Sequence, residues 1–176
     1  GPFGLSYAID RPDNVRSLVL MNTWLWSLQG DPHFERFGKL FGGAFGRFLY
    51  LRLNFSVRVI MKQAIADRSR FPRRIQEQYL RPFALRADRV ATHAYARALL
   101  DAGVWYDGLW RRREKIRDMP TLILWGEGDR LIVPPYARRW AALIPGATVE
   151  LVPDAAHMLP YEQPQAFVSA VSRFLG

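Results

Sequence analysis

The chain reads as an α/β protein in which a parallel, doubly wound sheet is interrupted by an all-helical insertion. Two observations predict it: three short apolar runs that alternate with helical segments, and a long middle stretch with no β-run at all. The first run, Arg16–Asn22 (RSLVLMN), is preceded by a helical segment whose Leu5, Ala8 and Ile9 share one face, and Arg11-Pro12-Asp13-Asn14 breaks that helix. The second, Thr121–Trp125 (TLILW), is introduced by Met119-Pro120, and the third, Thr148–Val152 (TVELV), by Pro145-Gly146. Runs apolar on both faces are what a buried parallel sheet requires. Pro135 to Leu143 reads as the helix between the last two strands, and Gln163 to Leu175 as the helix that closes the chain. Strand, helix, strand, helix implies right-handed crossovers.

Residues 27–117 differ in texture. They contain many arginines and aromatics, with Gly42-Gly43, Pro72 and Pro82 as punctuation, and predict four to six helices that form a lid over the strand ends. Three segments follow: 1–26 with a core helix and strand, 27–117 as a helical cap, and 118–176 with the last core strands and helices.

Composition limits the chemistry. The 176 residues hold 22 Arg and 3 Lys against 16 acids, and no Cys, which excludes disulfides, cysteine zinc sites and cysteine nucleophiles. No apolar run spans a membrane and the first ten residues carry no signal-peptide pattern, so no membrane partner is expected and the compartment defaults to the cytoplasm. The net charge of +9 belongs to the middle: residues 31–117 carry 19 Arg and Lys against 8 Asp and Glu. Arg111-Arg112-Arg113 with Arg47, Arg52 and Arg58 has the composition of a phosphate footprint, but these residues alternate with Phe, Leu and Tyr at helical spacing. A solvated helical face is the expectation, and nucleic acid is not expected as a partner. Three scattered histidines give no metal-ligand spacing, and no cofactor is expected.

Two strand ends carry catalytic residue types. The second strand runs into Gly126-Glu127-Gly128-Asp129, where ligands of open parallel sheets bind. An Asp in such a turn also serves as a cap or Asx-turn residue. The third strand runs into Pro153-Asp154-Ala155-Ala156-His157, and Glu162-Gln163-Pro164 follows as a helix start. Acid and base at consecutive strand ends suit a single chemical role, in which a carboxylate fixes the tautomer of an imidazole and stabilises the charge it acquires as general base. His157 is the candidate base and Asp129 the acid that orients it. Trp24 and Trp26, just beyond the first strand, are candidates for lining a substrate pocket, with packing as the alternative. Trp105 and Trp110 are expected in the core.

The motifs W-G-E-G-D-x-x-x-x-P and A-A-H-x-x-x-x-E-x-P resemble the C-terminal part of α/β-hydrolase-fold enzymes. Gly1-Pro2-Phe3-Gly4-Leu5 and Arg16–Trp24 are similar to haloalkane dehalogenases immediately after their nucleophile turn, His-Asp-Trp-Gly-Gly-Pro-x-Gly, with Gly1 matching the last Gly before the proline. The resemblance implies the C-terminal half of the α/β-hydrolase sheet with its helical cap. It also implies cleavage of carbon–halogen bonds in small apolar substrates, through an alkyl-enzyme ester that an activated water hydrolyses. The nucleophilic Asp and the halide-binding residues would precede Gly1, so the nucleophile is expected outside these residues and the chain alone is expected to be inactive. Some members take the acid from the strand before the cap; Met21-Asn22-Thr23 stands there, which leaves Asp129. An epoxide hydrolase or another α/β-hydrolase is the enzymatic alternative. A truncated, non-catalytic protein that associates with itself or with a missing N-terminal half through an open sheet edge is the other.

Overall fold

A computed structural model describes residues 1–176 and divides them into two compact units. The first comprises Gly1–Leu25, Gln63–Arg70 and Leu109–Gly176; the second comprises Trp26–Lys62 and Phe71–Gly108. Gln63–Arg70 and residues 109–117, read from the sequence as part of the helical middle, group with the sheet.

In that unit, β1 (Leu18–Met21), β2 (Thr121–Gly126) and β3 (Thr148–Val152) form a parallel sheet in the order β1-β2-β3. The register places Met21 opposite Leu124 and Gly126 opposite Val152. The segments that follow the strands, from Asn22, Glu127 and Pro153, therefore leave the sheet along one edge. Residues of β2 are buried on both faces. Leu122 and Leu124 join Val152 and Leu159 against Phe167, Ala170, Val171 and Phe174 of the closing helix, Pro164–Leu175. Ile123 and Trp125 point the other way by strand alternation and are equally buried, and the helix Pro135–Leu143 also packs on β2.

The third strand corrects an expectation. Its sequence is apolar, yet Val149 and Leu151 are exposed, because β3 is an edge strand with one face left to solvent. The first helix, Pro2–Asp10, buries Leu5, Ala8 and Ile9 and gives way to a 3₁₀ turn at Pro12–Asn14, where the proline ends it. The arginine run 111–113 lies in the same unit: Arg112 pairs with Asp10 at 2.5 Å, and Arg113 stacks 4.5 Å over Trp110.

The second unit is helical throughout. Pro32–Phe41, Ala44–Leu53, Arg73–Leu80 and Val90–Asp101 are joined by short 3₁₀ and π turns. Asp31 caps the first of these by accepting from the His33 amide at 2.9 Å. Phe37, Phe41, Tyr50, Phe55 and His93 form a continuous aromatic cluster, in which burial pushes the Tyr50 hydroxyl up to about 12. The expectation that Trp105 is core does not hold; it is 37% exposed.

Candidate active site

The strand end that carries Asp129 is shaped by close backbone approach. A Cβ on Gly126 would stand 2.2 Å from the Ala156 carbonyl oxygen and 2.8 Å from that of Ala155, so only glycine lets β2 end against the loop that follows β3. The two loops are then tied together: the Glu127 amide donates to the Val152 carbonyl at 3.0 Å and the Gly128 amide to the Ala155 carbonyl at 2.8 Å. This places Asp129 and His157, 28 residues apart, within a hydrogen bond: His157 Nδ1 lies 2.9 Å from Asp129 Oδ2.

The Asp129 carboxylate is buried and every side of it is used. Oδ1 accepts from the amides of Leu131 at 2.7 Å and Ile132 at 3.0 Å, the Asx-turn arrangement. Oδ2 accepts from His157 and from Asn22 Nδ2. Burial by itself would raise the Asp129 pKa, but the hydrogen bond and charge of His157, with the bonds from Asn22 and the Ile132 amide, outweigh it and hold the acid below its ordinary 3.8. An ionised carboxylate only accepts, so the hydrogen bond puts a proton on Nδ1 of His157, and in the neutral ring Nε2 is then the accepting nitrogen. The His157 side chain remains 33% exposed, which leaves the ring open to a reactant.

Buried indoles brace the same edge. Trp140 Nε1 donates to the Thr23 carbonyl and Trp125 Nε1 to the Ile132 carbonyl, both at 2.9 Å. One holds the turn after β1 and the other the turn that wraps Asp129. Asn22 itself has a left-handed backbone, φ 45°, which Asn adopts more readily than most residues. Its amide reaches Asp129 and, at 3.4 Å, the Ala156 carbonyl.

The sequence does not single out Asn22 as a partner of the acid. Its one signal is a lone amide at the carboxyl end of an apolar strand, in a position that could also have carried the acid. Glu162 reads in the sequence only as a helix start, yet it is buried. Trp24 is half-buried in the first unit, and Trp26 is 3% exposed in the second. A cleft of about 720 Å³ opens beside the acid loop, lined by Gly128 and Arg130 together with Gln63, Ile65, Ala66 and Arg68.

A buried carboxylate and a partly exposed imidazole thus stand 2.9 Å apart at the carboxyl edge of a parallel sheet, an arrangement chemically able to orient a base. Comparisons with known proteins bear on the fold. Haloalkane dehalogenase 2 of Mycobacterium tuberculosis H37Rv is 25% identical over 182 residues, and the hydrolase YugF of Bacillus subtilis strain 168 is 24% identical over 179. The chain spans about three fifths of the length of these curated relatives, 61% and 62%, while they match 100% and 99% of it. A crystal structure of a loop variant of haloalkane dehalogenase DbeA from Bradyrhizobium elkanii superposes with a TM-score of 0.82 at 21% identity, covering 99% of this chain and 63% of its own. The sequence profile described as the alpha/beta hydrolase fold matches residues 1–164. With that match, over a parallel sheet whose strand ends present an acid and a base, the chain belongs to the α/β-hydrolase fold family.

Proposed function

We propose that these residues form the acid–base part of a hydrolase of the haloalkane dehalogenase kind, with His157 as general base and Asp129 as the acid that orients it. The observation that carries this reading is the Asp129 carboxylate, held by Asn22 and two backbone amides and bonded to His157 Nδ1 at 2.9 Å. In the proposed reaction a carboxylate nucleophile outside these 176 residues displaces halide from a small apolar haloalkane and forms an ester. His157 Nε2 then takes a proton from water as the water oxygen attacks the ester carbonyl carbon. The imidazolium is stabilised by Asp129, and collapse of the adduct breaks the acyl C–O bond, with the departing alkoxide taking the proton from His157. The helical unit is assigned as the cap.

The test uses the full-length natural protein. Halide release from a 1-chloroalkane and diol formation from a terminal epoxide are followed, and the His157→Ala variant is examined by intact mass after exposure to the haloalkane. Steady halide release by the parent, with one equivalent of halide and a trapped alkyl adduct in the variant, is the expected result. Diol without halide would establish an epoxide hydrolase instead. Neither product, together with concentration-dependent self-association, would favour the interaction protein.

A further inference from the structure

Glu162 is a buried carboxylate, 3% exposed, that the proposed chemistry does not use and that no arginine or lysine neutralises. A buried carboxyl group is tolerated where hydrogen bonds replace its hydration. Here Oε1 accepts from the Ala66 amide at 2.5 Å and Oε2 from the Ala156 amide at 2.8 Å. The two donors lie far apart in sequence and belong to different loops. Ala156 is the residue immediately before His157. On the other side of His157, the Met158 amide donates to the Ala64 carbonyl at 3.2 Å. The peptide that bears the base is thus fastened on both sides to the irregular segment Gln63–Arg70. Arg70 returns the link, donating from Nη1 to the Glu162 carbonyl at 2.9 Å.

We propose that Glu162 is a positioning residue that holds His157 in register with Asp129 by bridging the Ala156 amide to the Ala66 amide. Only a residue with two accepting oxygens does this. A glutamine turns an NH₂ group toward one of the two N–H donors, leaving that donor unpaired and the loop free to shift. A small shift of the Ala156–His157 peptide is enough to misalign a 2.9 Å bond between His157 and Asp129. The inference rests on the reading of His157 as the base, but its first readout does not depend on turnover.

The experiment compares Glu162→Gln with the parent full-length protein by ring ¹⁵N NMR of His157, thermal unfolding and halide release. Tyr161→Phe is the control, since it loosens the same short helix by removing the Tyr161 hydroxyl bond to the Arg70 carbonyl without touching Ala156. The expected result for Glu162→Gln is conversion of His157 from one Nδ1–H tautomer to a mixture, with kcat lowered about tenfold and KM within about twofold. Tyr161→Phe keeps the single tautomer. If Glu162→Gln does not fold, Glu162→Asp, a methylene too short to reach both amides, is read in the same way. A single, unchanged tautomer in the folded Glu162 variant, or an equal change in Tyr161→Phe, overturns the proposal. A parent that releases no halide while the tautomer still responds to Glu162→Gln would overturn the dehalogenase reading alone.

Discussion

The charged side chains with the most backbone partners differ in sign between the two compact units. In the first, the carboxylates of Asp129 and Glu162 accept from backbone amides of Leu131, Ile132, Ala66 and Ala156. In the second, the guanidinium of Arg89 donates to backbone carbonyls: Phe83 at 2.8 Å, Leu51 at 3.0 Å and Ala84 at 2.6 Å. The difference follows from what each architecture leaves unpaired. Loops that leave a sheet edge and turn back carry free N–H groups, which anions satisfy. A unit built from many short helices has many C-terminal ends, each with orphan carbonyls, and Leu51 and Phe83 stand at such ends. Arg89 is in this sense a structural part of the short helices whose ends it joins.

Substitutions at these groups separate the two roles, and the largest effect belongs to the dyad. With the proposed chemistry, Asp129→Asn in the full-length protein lowers kcat by about 10³–10⁴-fold, because the amide no longer stabilises the imidazolium or selects its tautomer. Steady-state halide release measures it; a loss below about tenfold would remove Asp129 from the mechanism. Arg89→Met tests the other side and should act on stability alone. It leaves four carbonyls, those of Leu51, Arg52, Phe83 and Ala84, without this donor and should cost about 1–3 kcal/mol by denaturant unfolding, with kcat per folded molecule unchanged.

The strands sharpen the contrast further. Leu124→Ala in β2 should cost about 2–5 kcal/mol, whereas Leu151→Ala on the exposed face of β3 should stay within about 1 kcal/mol. Equal costs would mean that β3 is covered in solution. The smallest effect is electrostatic. Because the Asp129 pKa is depressed on folding, its contribution to stability is present above 3.8 and is lost as pH falls through that value toward the folded pKa. Acid unfolding should therefore be less steep in Asp129→Asn, and an identical pH profile would show that the depression is not realised.

The sheet and its site are legible in the sequence to different depths. Pro120 and the Pro145-Gly146 turn bracket apolar runs so sharply that β2 and β3 begin where the sequence puts them. Acid and base types at two consecutive strand ends point to Asp129 and His157 from their order along the chain alone. The exposure of β3 is not legible, because an apolar strand reads the same at an edge as at the centre. Nor is the place of Gln63–Arg70, whose attachment to the sheet unit runs through Glu162, 96 residues beyond Ala66. Asn22 escapes notice since side-chain amides at strand ends usually serve turns, and its partner lies 107 residues further on.

Position 22 also constrains which residues inheritance can place there. Its left-handed backbone admits glycine, asparagine and aspartate most readily and penalises branched side chains. Glycine would leave Asp129 without one of its donors, and aspartate would set a second negative charge against the first, so that one of the two must take up a proton. Of glycine, asparagine and aspartate, asparagine alone supplies a neutral donor. Variants that survive selection for an active His157 should therefore be almost monomorphic at position 22, even where the surrounding apolar residues of β1 interchange freely.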